Sequence, residues 1–340
     1  MKGMNLLHSI VFILNSVFAL MLFTSYALPF VPPRSFPLLS VLSLSVPVLL
    51  IINVILLFYW IFFMKRAFLL SALVLLLGFQ KLTSLYKFSG QKVENTEAGF
   101  SLMSYNVRSF NLFKWIPDDF IAEKIGAFVK TANPDVLCFQ DFHTSGSHLF
   151  VNYPYQLEKI RGQKSKSGLA IYSKYPILNS GSLEFPDTSN NAVFVDLLID
   201  KDTIRFYNVH FQSLKISNEV NDINDKNYEL MTNRIGKAFV KQQKQLEILL
   251  AHKKKSPYRS ILAGDFNNTA FSYLYKSLKD QGLKDAFLEA GTGFGQTYNL
   301  KFFPLRIDFV MVDDSFDVNN FKCFSQKYSD HFPIMTRVGL

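Results

Sequence analysis

Cysteine is nearly absent: the 340 residues contain two, Cys138 and Cys323. Two thiols cannot complete a zinc ligand set, and they do not fix the redox compartment. Cys138 lies in the apolar run Val136–Phe139, where a thiol packs as a small inert hydrophobe. Acidic residues are missing from positions 1–90, which carry six basic ones: Lys2, Arg34, Lys65, Arg66, Lys81 and Lys87. The whole chain has 36 basic and 27 acidic residues, so residues 91–340 keep 30 against 27, about +3. A polyanion-binding footprint needs its basic excess on that part of the chain, and net charge supplies none. No internal repeat or low-complexity tract follows residue 99.

The N-terminal third is instead rich in long apolar runs. Leu6–Leu28 and Pro37–Phe63 each exceed the ~20 residues that carry a helix across ~30 Å of hydrocarbon, and Pro29, Pro32 and Pro33 separate them. The first run is too long for a signal-peptide core and has no clear small-residue cleavage site, so it reads as retained. Ala67–Phe79 is a third, shorter run, which spans only if Lys81 snorkels and Leu82–Tyr86 complete the helix; otherwise it lies at the interface. Lys2, Lys65 and Arg66 against Arg34 place the N-terminus in the cytoplasm. Three spans then put the rest of the chain outside, and two return it inside. The expectation is an integral protein of the inner (plasma) membrane, with two or three helices in residues 1–88 and a polar linker at 89–99. The domain 100–340 leans extracytoplasmic. A transporter is disfavoured because no acidic residue lies in the helices and Lys65 and Arg66 fall in a loop.

Beyond the linker, strand and helix patterns alternate. Phe100–Val107, Asp135–Phe139, Leu169–Tyr172, Ala192–Ile199, Thr203–His210, Ser260–Gly264, Ile307–Val312 and Ile334–Val338 read as strands, and an Asp200-Lys201-Asp202 turn joins two of them. Asp119–Lys130, Asn227–His252 and Ser272–Lys279 read as helices. This order implies a layered α/β architecture with helices outside the sheets.

The chemistry-bearing side chains sit at the strand ends. Asn106 and Gln140-Asp141 each follow an apolar run, where a scaffold holds functional groups rigidly. A turn asparagine and a loop aspartate are the plainer readings of each alone. The Asp141 carboxylate suits a hard cation such as Mg²⁺, and His210 can donate to a phosphoryl oxygen. Asp265 and Asn267 follow Ile261–Gly264 two apart, hence on one face of an extended chain. Asp265 suits a water-orienting base and Asn267 a donor to phosphate. A carboxylate in the strand around Asp308 needs a partner, and His331 is the natural one, its tautomer fixed by the pair. Asp330 is then left for a metal, and Arg306 for a carboxylate or a phosphate. The set meets the needs of metal-assisted phosphate-ester cleavage.

In this order, Ser104–Val107, Pro134–Asp141, Gly168–Ile177, Asn208–Phe211, Ala263–Asn267, Thr297-Tyr298, Arg306–Val310 and Ser329–Pro333 resemble the endonuclease/exonuclease/phosphatase superfamily over roughly residues 100–340. That superfamily includes deoxyribonucleases, apurinic endonucleases, inositol-polyphosphate phosphatases and neutral sphingomyelinases. The resemblance implies a four-layer sandwich of two mixed β-sheets flanked by helices. It implies Mg²⁺ or Mn²⁺ near Asn106, Asp141 and Asp330, and phosphate contacts from His210, Asn267 and His331. Asp308 would support His331, and Asp265 would orient the attacking water. One departure stands out: the family usually has Glu where this chain has Asp141, an arm shorter by about 1.5 Å.

The expected activity is hydrolysis of a phosphate mono- or diester, with a lipid headgroup or small organic phosphate fitting the tether best. A nuclease is the alternative. It requires an extended basic groove, to which Lys164 and Lys166 could add a rim. A catalytically silent receptor or scaffold on the same fold is the alternative from another class. The bilayer is the expected partner, and no protein partner is implied.

Overall fold

The computed structural model describes residues 5–90, 99–161, 167–214, 225–300 and 303–340. Most of the expected linker, together with Lys164 and Lys166, lies outside them.

The N-terminal region opens with helix α1 (Leu6–Ser25), which the Asn5 side chain caps by accepting from the His8 N–H. A short α2 (Pro37–Val41) and a 3₁₀ turn (Leu42–Ser45) lead into α3 (Val46–Phe62). Two helical stretches, Leu6–Phe30 and Pro37–Phe62, are long and apolar enough to cross a membrane. They leave Leu7, Ile10, Leu14, Val17, Ile55 and Phe58 exposed, an apolar surface larger than scattered single residues make.

The third run departs from a straight span. It forms α4 (Phe68–Leu77) and α5 (Phe79–Leu85), bent 80° at the break. The cause is local. The Tyr26 hydroxyl donates to the Val74 carbonyl at 2.8 Å and crosses Gly78, where a Cβ would lie 1.9 Å from it. A side chain inserted beside a glycine is a standard origin of a kink. Where α1, α3 and α4 meet, the Ser71 Oγ donates to Asn15 Oδ1 at 2.8 Å, and the Asn53 amide donates to the Phe18 and Leu49 carbonyls. Such polar contacts hold apolar helices together where burial alone gives no drive.

The remainder comprises β1 (Phe100–Asn106), α6 (Ile121–Ala132), β2 (Val136–His143), β3 (Tyr155–Arg161), β4 (Ser167–Ser173), β5 (Ile177–Ser182), β6 (Asn191–Ile199) and β7 (Asp202–His210). It continues with α7 (Asp225–Lys254), β8 (Ser260–Asp265), α8 (Tyr273–Lys279), β9 (Leu283–Asp285), α9 (Ala286–Ala290), β10 (Tyr298–Leu300), β11 (Phe303–Leu305), β12 (Asp308–Asp313), β13 (Asp317–Cys323) and β14 (Ile334–Gly339). Two mixed sheets run in the orders β13-β14-β1-β2-β4-β3 and β5-β6-β7-β8-β12-β9. Period-two alternation splits each interior strand between two cores. Phe100, Leu102, Val136, Cys138 and Ile171 meet Val193, Val195, Phe206, Ile261 and Val310 between the sheets. Met103, Tyr105, Leu137 and Phe139 face outward onto Ile121, Ile125 and Val129 of α6, which recur every fourth residue. Asn133 in the left-handed conformation ends that helix, and Pro134 follows. On the other flank Leu246 and Leu249 of α7 and Leu274 and Leu278 of α8 cover the second sheet. The four layers are those expected.

The N-terminal helical region is seated on this sandwich. Phe271 is buried among Ala19, Leu22, Leu49, Leu50 and Leu75, and Arg34 pairs with Glu247 of α7 at 2.7 Å.

Candidate active site

Register across the second sheet assembles most of the site. β7 and β8 run parallel with His210 beside Asp265, and β8 and β12 run antiparallel with Asp265 beside Asp308. Three residues from separate parts of the chain therefore form one row at the sheet's end. Gly264 permits the close strand approach: at φ +147°, a Cβ there would lie 1.9 Å from the Val209 carbonyl. The first sheet adds Asn106, the last residue of β1, beside Gln140 of β2. Ser329 ties in the last loop by donating to the Asn106 carbonyl at 2.8 Å.

Asp265, only 1% exposed, is the hub. Its Oδ2 accepts from the Asn106 amide at 3.0 Å and lies 3.5 Å from His210 Nε2 and 3.6 Å from His331 Nε2. Its Oδ1 accepts from the Asn267 N–H at 2.8 Å. Behind His331, Asp308 Oδ2 lies 2.9 Å from Nδ1, and Thr297 Oγ1 holds the backbone of Asp308 at 3.0 Å. Burial pushes the Asp308 carboxyl up to about 6, with the His331 charge pulling the other way. Burial draws the His331 imidazole down, but Asp308, Asp265 and Asp330 outweigh it and push it up to about 10. The Tyr298 ring packs edge-on against His331, centroids 4.9 Å apart.

Asp141 comes from a bulge in β2, where the pairing with β4 slips between Phe139 and Phe142. Its φ of +45° is left-handed, and bulges commonly re-aim a side chain next to a site. Its Oδ1 lies 3.6 Å from His210 Nδ1. Asp330 faces Arg108, whose Nη1 is 2.7 Å from Oδ2 and whose guanidinium lies over Trp115.

Asn106, Asp141, His210, Asp265, Asn267, Asp330 and His331 all line one cleft of about 500 Å³, and Asp308 stands behind it. Arg306 is not brought there: of its two expected partners it meets the carboxylate, which corrects its place among the substrate-binding residues. It is 6% exposed, sandwiched between the Phe287 and Phe309 rings and paired with Asp285 at 2.7 Å. A buried guanidinium takes the nearest buried carboxylate. Arg108 was not anticipated. Residues 108–111 all have positive φ, a loop shape that no residue type in Arg108–Asn111 signals.

A cation-binding role can be judged from the donors themselves. Three carboxylates, from Asp141, Asp265 and Asp330, line the cleft with Asp308 behind them, and the Arg108 guanidinium already sits where Asp330 calls for positive charge. Asp265, Asp308 and His331 also present ligand atoms within 4.8 Å of one another, all buried. Oxygen-rich and negative, the residues fit a hard divalent ion.

Two mixed sheets with an Asn/Asp/His cluster at their strand ends define a phosphoesterase-type fold. Residues 103–331 match the family model described as the endonuclease/exonuclease/phosphatase family, to which this chain belongs. Members of that family typically hydrolyse phosphate esters and commonly use a divalent metal. Residues 8–85 match a domain of unknown function. No curated protein matches the chain. Among solved structures, an endonuclease/exonuclease/phosphatase protein of Bacteroides vulgatus is 18% identical with a TM-score of 0.56, covering 72% of this chain and 100% of that one. A mannosyl-6-phosphatase of Bacteroides thetaiotaomicron is also 18% identical, with a TM-score of 0.53 over 71% and 100%. The D. rerio TDP2 complexed with a single-strand DNA product is 15% identical, with a TM-score of 0.53 over 72% and 100%.

Proposed function

We propose that the protein is a membrane-anchored, divalent-metal-dependent hydrolase of a phosphate mono- or diester, either a lipid headgroup or a small organic phosphate. The observation that carries this reading is the meeting of Asn106, His210 and His331 on the single carboxylate oxygen Oδ2 of Asp265. Asp265, held on both oxygens, orients a water for in-line attack and receives its proton. His331, charged through its contact with Asp308, and His210 donate to the non-bridging oxygens as charge builds there. Asn267 contributes a further amide donor. Asn106, Asp141 and Asp330 would hold Mg²⁺ or Mn²⁺, which supplies electrostatic stabilisation of the phosphoryl oxygens when bound. We place the ion there rather than at Asp265, Asp308 and His331, all three of which are buried, because Mg²⁺ keeps several waters and suits the more open position of Asp141 and Asp330.

The helices support a membrane anchor with the catalytic domain outside the cytoplasm. Arg34, in the connection between α1 and α3, bonds to Gln243 and Glu247 of α7, and Lys87 after α5 pairs with Gly293. Both segments therefore lie on the domain's side. Lys65 and Arg66, at the opposite helix ends, take the cytoplasmic side under the positive-inside rule. The bent α4–α5 pair returns the chain.

A nuclease finds less support. Of the basic residues lining the cleft, Lys159 and Arg161 pair with Glu184, and Lys241 donates to the Asp187 carbonyl. The deciding experiment is turnover by the full chain in detergent on phospholipids, inositol phosphates, sugar phosphates and single-stranded DNA, with Mg²⁺, with Mn²⁺ and with EDTA. Hydrolysis that EDTA abolishes is expected. Metal-independent turnover would sink the metal-dependent reading, and no turnover with any ester would sink the proposal and favour a silent scaffold.

A further inference from the structure

We infer that the substrate is a phosphate ester carried on a bilayer amphiphile, which enters the cleft past Leu44. The inference rests on the phosphoesterase reading and narrows its substrate to one class. Leu44 lines the cleft together with Asp141, Asp265 and His331, yet it belongs to the 3₁₀ turn just before α3, not to the sandwich. The membrane region thus supplies part of the wall of the catalytic cleft.

Depth follows from helix length. At ~1.5 Å per residue, the 20 residues of α1 cover about 30 Å and the 17 of α3 about 26 Å. Those lengths match a hydrocarbon core of ~30 Å. Ser25 and Val46, the domain-side ends of these helices, therefore mark the edge of the hydrocarbon. Leu44 stands two residues before Val46, at headgroup level.

The placement is fixed rather than floppy. Val41 and Leu44 pack on Leu214, Ile235, Ala238 and Phe239 of the domain, and a Cβ on Gly236 would lie 3.2 Å from Pro37. On the outer side of the same connection Phe30, Phe36, Leu38 and Leu42 are exposed, apolar groups that a water-facing surface would not favour but an interface accepts. The cleft therefore joins two kinds of surface: the carboxylates and imidazoles of the site, and the side chain of Leu44 from the helical region, with the buried Leu214 behind it. A headgroup with its ester at the carboxylates and its glycerol or acyl base against Leu44 fits that combination, and a free phosphate makes no use of Leu44.

The test uses the full chain in phosphatidylcholine vesicles containing phosphatidylglycerol, phosphatidylinositol or phosphatidic acid. Each is compared with its deacylated water-soluble counterpart, and bis(p-nitrophenyl) phosphate serves as a soluble reporter. For at least one pair, kcat/KM for the lipid should exceed that for the soluble partner by about 100-fold. Leu44→Asn should lower that ratio about tenfold and Leu44→Met restore it, since a lost apolar side-chain contact is worth about a factor of ten or more. Hydrolysis of the soluble esters without lipid preference overturns the lipid assignment while leaving the phosphoesterase reading standing. Hydrolysis of none overturns both. The wild-type ratio decides the matter even if Leu44→Asn fails to fold, and equal loss on lipid and soluble partner removes Leu44 from the entry path.

Discussion

Asp265 and Asp308 are direct partners in the antiparallel pairing of β8 and β12, and His331 reaches both, with Nδ1 2.9 Å from Asp308 and Nε2 3.6 Å from Asp265. One imidazole thus couples a carboxylate at the cleft to a carboxylate behind it. The coupling gives the two aspartates different duties, although each is almost fully buried.

Asp265→Asn should separate those duties. The amide keeps the volume and can still meet the Asn267 N–H, but its NH₂ would face the Asn106 amide and the two imidazoles, so the variant should fold with a lowered melting temperature. The proton acceptor is gone, and kcat should fall by about 10²–10⁴-fold, the usual worth of a positioned general base. Wild-type turnover by a folded Asp265→Asn protein would remove Asp265 from the reaction.

The His331 pair should show in the stability of the metal-free protein. His331 is pushed up to about 10 in the folded state, against about 6.5 when unfolded. A raised imidazole pKa stabilises fully below the unfolded value, and that contribution is lost as pH rises through the folded one. Denaturant midpoints should therefore decline between about pH 6.5 and 10, and His331→Gln should flatten the decline. An unchanged slope in the variant would show that the imidazole is not held charged by its carboxylates.

Asp141 tests the departure from the family's glutamate. Its backbone is left-handed at φ +45°, which aspartate tolerates better than longer residues and which suits glycine. Asp141→Gly keeps the bulge while deleting the carboxylate. We expect the melting temperature to hold and the Mg²⁺ concentration for half-maximal activity to rise about tenfold or more, the scale on which changes around a metal act. An unchanged metal requirement would move the ion elsewhere.

The interior of both sheets was legible from sequence, and their edges were not. All eight inner strands, β1, β2, β4, β6, β7, β8, β12 and β14, were anticipated, because strands covered on both faces read as apolar runs. The four edges, β3, β5, β9 and β13, escaped as strands. β3 reads Tyr-Gln-Leu-Glu-Lys-Ile-Arg, a charged edge of the kind that blocks further pairing. For the site, motif order singled out Asn106, Asp141, His210, Asp265, Asn267, Asp330 and His331, which line one cleft. It did not reveal Arg108, whose place depends on a run of positive φ, nor did it settle which anion Arg306 meets. Leu44 lay hidden inside the apolar stretch Pro37–Phe63, where it reads as one leucine among many.

Arg306 carries the last prediction. With its guanidinium paired to Asp285, and the Tyr275 hydroxyl donating to the same carboxylate at 2.8 Å, it belongs to a closed buried network. Its Nη2 also reaches the Ser84 carbonyl at 3.4 Å, tying the end of α5 to the sandwich. Removing one partner of a buried pair strands the other charge, at a cost of about 3–5 kcal/mol. Arg306→Met should therefore lower stability by about that much and loosen the seat of α5, while the KM of whatever folded protein remains should stay close to wild type. The double variant Arg306→Met/Asp285→Leu should recover much of the loss, because neither charge is then left alone. Denaturant titration and KM measured on the same samples separate the outcomes. A KM raised about tenfold at unchanged stability would return Arg306 to phosphate binding.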